Sequence, residues 1–237
     1  RTLSGHKGGV TCLRFTPDGK HLVSGGGWID ALGRYDGQSL DNTLRVWNVE
    51  TGELVETLTG HKAPVTDLDI SRDGKKITFE VIGQYLSPEA KKKYNVPDAI
   101  NEADYLIEPW IVNADGTGLR RLVSDEAYGL ISGRLQSGGS KEPDFSPDGR
   151  WVVFSHGHAI ALASVDGKQA RIVAPHVVSG HEGVQFMEAD PTFSPDGKYI
   201  AAASRLITRE GEERMAPPGV TVIDLSILDA TASEPAP

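Results

Sequence analysis

The chain has 237 residues, enough to bury a substantial core, and it sets 24 Lys and Arg against 33 Asp and Glu, for a formal charge of −9. Its pI near 5.3 excludes a general nucleic-acid or anionic-membrane surface, because phosphate binding needs clustered Lys and Arg. The only cysteine, Cys12, permits neither an intrachain disulfide nor a Cys-based zinc cage, and no apolar run approaches the roughly 18 residues of a membrane span.

In chain order, Val10 to Phe15 and His21 to Ser24 predict two strands around the turn Thr16-Pro17-Asp18-Gly19. A third strand falls at Thr43 to Asn48 and a fourth near Leu54 to Leu58, beyond the turn Val49-Glu50-Thr51-Gly52. The series then repeats. Val65 to Ile70 and Lys76 to Val81 flank Ser71-Arg72-Asp73-Gly74, and Trp110 to Asn113 and Arg120 to Val123 flank Asn113-Ala114-Asp115-Gly116. Pro143 to Phe145 and Trp151 to Ser155 flank Ser146-Pro147-Asp148-Gly149, followed by Ile160 to Ser164, the turn Val165-Asp166-Gly167 and Arg171 to Val173. Pro191 to Phe193 and Tyr199 to Ala203 flank Ser194-Pro195-Asp196-Gly197, and Val220 to Asp224 follows with no evident fourth strand.

Each turn has a mechanism: Pro presets φ, Asp bonds its own backbone and Gly accepts positive φ. The four turn aspartates Asp18, Asp73, Asp148 and Asp196 are 55, 75 and 48 residues apart. Radial repeats of four strands run about 40–45 residues, so the excess is insertion. The predicted fold is all-β, a β-propeller of four-stranded antiparallel blades with a small helical insertion. Blades lie near 5–58, 60–123, 142–173 and 190–225, with insertions at 25–40, 82–108 and 204–219. The propeller spans 1–229, and 230–237 is an Ala/Pro-rich tail.

Gly5-His6, Ser24, Asp41-Asn42-Thr43-Leu44-Arg45-Val46-Trp47-Asn48 and Gly60-His61 resemble one WD-repeat blade and the opening of the next. The second half resembles the TolB-type repeat in Pro143-Asp144-Phe145-Ser146-Pro147-Asp148-Gly149, Pro191-Thr192-Phe193-Ser194-Pro195-Asp196-Gly197 and Ile111-Val112-Asn113-Ala114-Asp115-Gly116. The WD resemblance implies a structural hydrogen-bond chain of His6, Ser24, Asp41 and Trp47, with His61 in the corresponding structural role. The chain opens on Arg1-Thr2-Leu3-Ser4-Gly5-His6, parallel to Glu56-Thr57-Leu58-Thr59-Gly60-His61, so it starts within a fourth strand. Either Arg1 to Ser4 closes a four-blade ring or the chain is part of a larger propeller; the second is the expectation.

The long connections all fall on one side of the disc, at Gly25 to Leu40, Ile82 to Glu108, Ser124 to Lys141, Ala174 to Ala189 and Ser204 to Gly219. Loops on a rigid scaffold are where binding usually resides. Ser87 and Pro88 predict the start of a short helix in the longest of them. Candidate partner-binding residues there are Trp28, Ile29, Tyr35, Tyr85, Tyr94 and Tyr105.

The sharpest chemical candidate is Ser155-His156-Gly157-His158. His156 and His158, with His181 in the next connection, are residue types that bind a divalent metal such as zinc, although no metalloenzyme signature surrounds them. No Gly-x-Ser-x-Gly elbow or phosphate loop occurs, so no catalytic residue is assigned. The leading expectation is a non-catalytic scaffold for protein-protein interaction, an accessory subunit of a larger multisubunit assembly, without nucleic acid, cofactor or membrane span. Its rivals are a propeller enzyme, a metal-assisted lyase or hydrolase at the loop-rich face, and the propeller domain of a larger hydrolase. The TolB-type resemblance implies a periplasmic or otherwise extracytoplasmic location, which is the expectation; the WD resemblance leaves a cytoplasmic one as the alternative.

Overall fold

The computed structural model describes residues 1–27, 41–61, 64–84, 106–124, 127, 143–156, 159–174, 184–208 and 219–226. They form four antiparallel sheets, each taking its strands in sequence order. The first contains β1 (Gly9–Phe15), β2 (His21–Gly27), β3 (Leu44–Asn48) and β4 (Leu54–Leu58). The second contains β5 (Val65–Ile70), β6 (Lys76–Gln84), β7 (Leu106–Asn113) and β8 (Arg120–Arg121). The third contains β9 (Asp144–Phe145), β10 (Trp151–His156), β11 (Ala159–Ser164) and β12 (Ala170–Ala174). The fourth has three strands, β13 (Val184–Phe193), β14 (Tyr199–Thr208) and β15 (Gly219–Asp224). The chain is an all-β propeller, and these sheets are its blades.

The third sheet shows why the repeat packs side by side. Strand periodicity sends alternate residues to opposite faces. Accordingly Val152, Phe154, Ala161 and Ala163 join Ile111 of the second sheet and Leu122 just beyond its last strand in one apolar cluster, while Val153, Ile160 and Leu162 join Phe193, Ile200 and Ala202 of the fourth. A third cluster binds the first sheet to the second through Val23, Leu44, Val46, Val65, Leu68, Ile70 and Phe79. Each large aliphatic or Phe side chain withdrawn from water in these gaps contributes about 1.5–3 kcal/mol. The core is therefore distributed between successive sheets.

A bulge recurs at one place in the first strand of the first two blades, between Val10 and Cys12 and between Val65 and Asp67, while the first strand of the fourth blade is irregular nearer its end, between Ala189 and Thr192. In the first blade the bulge frees the Thr11 hydroxyl to donate to the Gly25 carbonyl at 3.1 Å and to the Val65 carbonyl of the next blade. Several strands run on into segments read from sequence as insertions. Strand β2 reaches Gly27, β6 reaches Gln84, β7 begins at Leu106, and β13 begins at Val184 opposite Thr208 at the end of β14. Their ladder partners supply the backbone hydrogen bonds that composition alone does not reveal. The region read as a helix from Ser87 lies outside the described residues. Arg1 to Ser4 belong to no strand, and the Arg1 guanidinium donates to the Glu50 carbonyl.

Candidate interaction faces

Sequential antiparallel order puts the turns β1–β2 and β3–β4, with their counterparts, on one edge of the disc; the β2–β3 type and between-blade connections leave from the other. The first edge is built from a self-contained device. In Thr16 to His21 the hydroxyl donates to Asp18 Oδ1 at 2.6 Å, that oxygen accepts the Lys20 amide at 3.0 Å, and the hydroxyl accepts the His21 amide at 3.0 Å. Ser71 and Asp73, Ser146 and Asp148, and Ser194 and Asp196 repeat it, with hydroxyl-to-carboxylate distances of 2.7, 2.6 and 2.6 Å. Ser164 and Asp166 make the same turn between outer strands of the third blade. The hydroxyl, then the backbone amide, holds the carboxyls of Asp18, Asp73 and Asp196 below their ordinary range. These acids are occupied in closing turns.

His6, Ser24, Asp41 and Trp47 form one hydrogen-bond chain. His6 Nδ1 lies 2.8 Å from Asp41 Oδ2, His6 Nε2 lies 2.7 Å from Ser24 Oγ, and Trp47 Nε1 donates to the same hydroxyl at 2.8 Å. Burial alone would raise the Asp41 carboxyl, but donors from Thr43, Lys7 and His6 hold it below the usual range. This network fastens the entry of the first blade to its second and third strands.

His61 differs. In the second blade Phe79 stands at the place of Ser24 and Val112 at that of Trp47, as the matching ladders show. His61 packs on Phe79 with ring centroids 5.0 Å apart, and among the described residues its Nε2 has no hydrogen-bond partner. Burial pushes its imidazole down to about 4, so it is neutral at physiological pH. Its setting is structural, but through apolar packing instead of the polar chain that the WD resemblance implies.

Two further acids tie blades together. Asp69 Oδ2 accepts the Phe145 amide at 3.0 Å, and Asp144 Oδ2 accepts the Phe193 amide at 2.7 Å and the Thr192 hydroxyl at 2.9 Å. Both precede an apolar residue and Ser, in Asp69-Ile70-Ser71 and Asp144-Phe145-Ser146. That recurrence is the signal by which sequence reasoning, which passed over them, could have found them. Burial pushes the Asp69 carboxyl up to about 6, with the Asp144 charge acting in the same direction against the amide donors.

On the opposite edge, His156 ends β10, paired with Ala159, and is buried edge-on against Phe154 at 6.4 Å between centroids. His158 and His181 lie outside the described residues, as do Trp28, Ile29, Tyr35, Tyr85, Tyr94 and Tyr105. Among the described residues no group of three or more His, Cys, Asp or Glu could hold a metal ion, and no helix is long and apolar enough to cross a membrane.

Residues 1–48 and 52–78 match the family described as WD domain, G-beta repeat. Over 223 residues, 87% of this chain and 46% of the relative, the chain is 29% identical to nuclear distribution protein nudF of Aspergillus niger. It is 44% identical to nuclear distribution protein PAC1-2 of Uncinocarpus reesii over 77 residues, 32% of this chain and 15% of that protein. An uncharacterized WD repeat-containing protein, sll1491 of Synechocystis, is 32% identical over 83 residues, 35% of this chain and 20% of that protein. The chain thus spans less than half the length of these curated relatives.

Proposed function

Starting from a β-propeller whose residues 1–48 and 52–78 match the WD repeat, we propose that this chain is a non-catalytic scaffold whose loop-rich edge grips a protein partner within a multisubunit assembly. The observation that carries this reading is the division of labour between edges. On one, hydroxyl and carboxylate pairs in Thr16 to Asp18, Ser71 to Asp73, Ser146 to Asp148 and Ser194 to Asp196 are spent on their own turns. On the other, the strands lead into the long connections 28–40, 85–105, 128–142, 175–183 and 209–218, of which 28–40 and 85–105 carry Trp28, Tyr35, Tyr85, Tyr94 and Tyr105, aromatic residues suited to a partner. A disc of packed blades with its long connections on one edge presents a broad surface at little ordering cost to the scaffold.

The third and fourth blades retain in this reading their TolB-type character, on the shared Phe-Ser-Pro-Asp-Gly run, and with it an extracytoplasmic location that fractionation of source cells checks. The main test is capture of the native partner followed by cross-link mapping. Cross-links concentrated in residues 28–40 and 85–105 are expected. A protein that takes no partner and turns over a substrate with dependence on His156 would overturn the reading.

A further inference from the structure

Clefts open between neighbouring blades behind the short turns, one of about 410 Å³ between the first and second blades and one of about 330 Å³ between the third and fourth. They are built from corresponding residues. Pro17, Val46, Ile70 and Ala114 line the first where Pro147, Leu162, Phe193 and Leu225 line the second. The ladders fix that correspondence: Val46 faces Val23 as Leu162 faces Val153, and the Ala114 and Leu225 amides donate to the Lys75 and Lys198 carbonyls. No residue of β8 lines the first cleft, so an outermost strand in the following blade lies outside a cleft of this kind.

The chemistry differs at two places. His21, the first residue of β2, and Val55, the second of β4, give way in the second cleft to Trp151, the first residue of β10, and Arg171, the second of β12. A joint of this fold thus accommodates a valine where Arg171 stands, and its packing does not call for a cation. The Arg171 guanidinium carbon lies 5.6 Å from the centroid of the Trp151 ring. Among the described residues the guanidinium makes no ion pair, and its Nε is buried without a hydrogen-bond partner. Its polar neighbours are already committed. The Ser146 hydroxyl donates to Asp148, Asp148 accepts the Arg150 Nε at 2.6 Å, and Asp196 accepts the Ser194 hydroxyl. One uncommitted cation therefore stands beside apolar walls.

We propose that the cleft between the third and fourth blades binds a small organic monoanion, a carboxylate on an apolar body. The fork of Arg171 donors takes the carboxylate, and Trp151, Leu162, Phe193 and Leu225 take the body. Its volume lies near the lower end of the range of about 300–1,000 Å³ for small-molecule pockets, which suits a ligand of a single ring or a short chain. Asp148 and Asp196 place further carboxylates in the same lining, and their repulsion disfavours a multiply charged phosphate. The site uses none of the long connections and stands independently of the partner reading above.

NMR titration of the isotope-labelled full native chain with phenylacetate, phenylbutyrate and hexanoate tests it. A saturable shift of one indole N–H signal is expected, and that signal should be missing from Trp151→Phe. Arg171→Val, which copies Val55, should weaken binding about tenfold or more with unchanged thermal melting, as loss of a charge-assisted pair predicts. Arg171→Gln, which keeps a polar side chain, should show the same loss. Neutral phenylbutanol should bind about tenfold more weakly than phenylbutyrate, and inorganic phosphate should leave the signal unmoved. No saturable shift from any of the three acids at millimolar concentration would overturn the proposal. So would an alcohol or phosphate that binds as tightly as the acids, or folded Arg171 variants that bind like the parent.

Discussion

Asp69 in the first strand of the second blade accepts the backbone amide of Phe145 in the first strand of the third, at 3.0 Å, although 76 residues separate them. Asp144 makes the same reach to Phe193 one blade further on. A carboxylate that closes a gap between sheets is partly buried, and its protonation is coupled to the stability of the joint.

The first prediction follows from the sign of that coupling. Burial raises the Asp69 carboxyl from 3.8 to about 6, against Arg14 and the amide donors and together with the Asp144 charge. The folded state thus holds this proton more tightly than the unfolded one. The stabilising contribution is complete below pH 3.8 and is lost as pH rises through about 6. Asp69→Asn keeps an acceptor for the Phe145 amide and removes the titration. Its stability relative to the parent should rise between pH 4 and pH 7 in denaturant titrations, and a constant difference would contradict the assignment.

His61 carries the opposite dependence. Its buried imidazole is pushed down from 6.5 to about 4, so acidification charges it in the unfolded chain first, and its contribution is lost as pH falls through this interval. His61→Leu should flatten that part of the stability profile. A profile with the same acid limb would place the lost protons elsewhere.

Removing the Ser24 hydroxyl takes a partner from both His6 Nε2 and Trp47 Nε1. Each buried polar group left unsatisfied costs about 1–3 kcal/mol, so Ser24→Ala should destabilise by at least that range in urea unfolding. A change under half a kcal/mol would show, to about that precision, that the network contributes little net stability.

Two glycines separate backbone strain from crowding. Gly149 sits at φ 69° with nothing within 4 Å of a built Cβ, so Gly149→Ala should cost about 1–2 kcal/mol from backbone conformation alone. At Gly25 a Cβ would lie 2.5 Å from Cys12 Sγ and 2.8 Å from Val65 Cγ1, between the first and second blades. Overpacking there costs about 1–3 kcal/mol, and Val65→Ala should relieve part of it while adding independently to Gly149→Ala. Double-mutant cycles read the difference; additivity at Gly25 would refute the close approach.

These cases also explain what was legible beforehand. The turn of Ser146 to Gly149 could be read because every bond in it joins residues at most five apart. The chain of His6, Ser24, Asp41 and Trp47 was legible only through resemblance to a known repeat. Asp69 and Asp144 escaped notice because their partners lie in another blade; the recurring Asp-apolar-Ser context marks the two positions but does not say what lies across the gap. The expectation for His61 followed the first blade too closely: Phe79 at the place of Ser24 replaces a polar partner with a ring. Strand ends such as Val184 and Thr208 were missed because each is specified by the other across a hairpin.

The central claim is that one edge of the disc binds the protein partner and the turn acids of the other only close turns. Hydroxyl-radical footprinting of the native chain with and without its captured partner tests this most directly. Protection is predicted in residues 28–40 and 85–105, with the turns at Asp18, Asp73, Asp148 and Asp196 unchanged. Protection confined to those four turns, with the long connections as reactive as before, would contradict it.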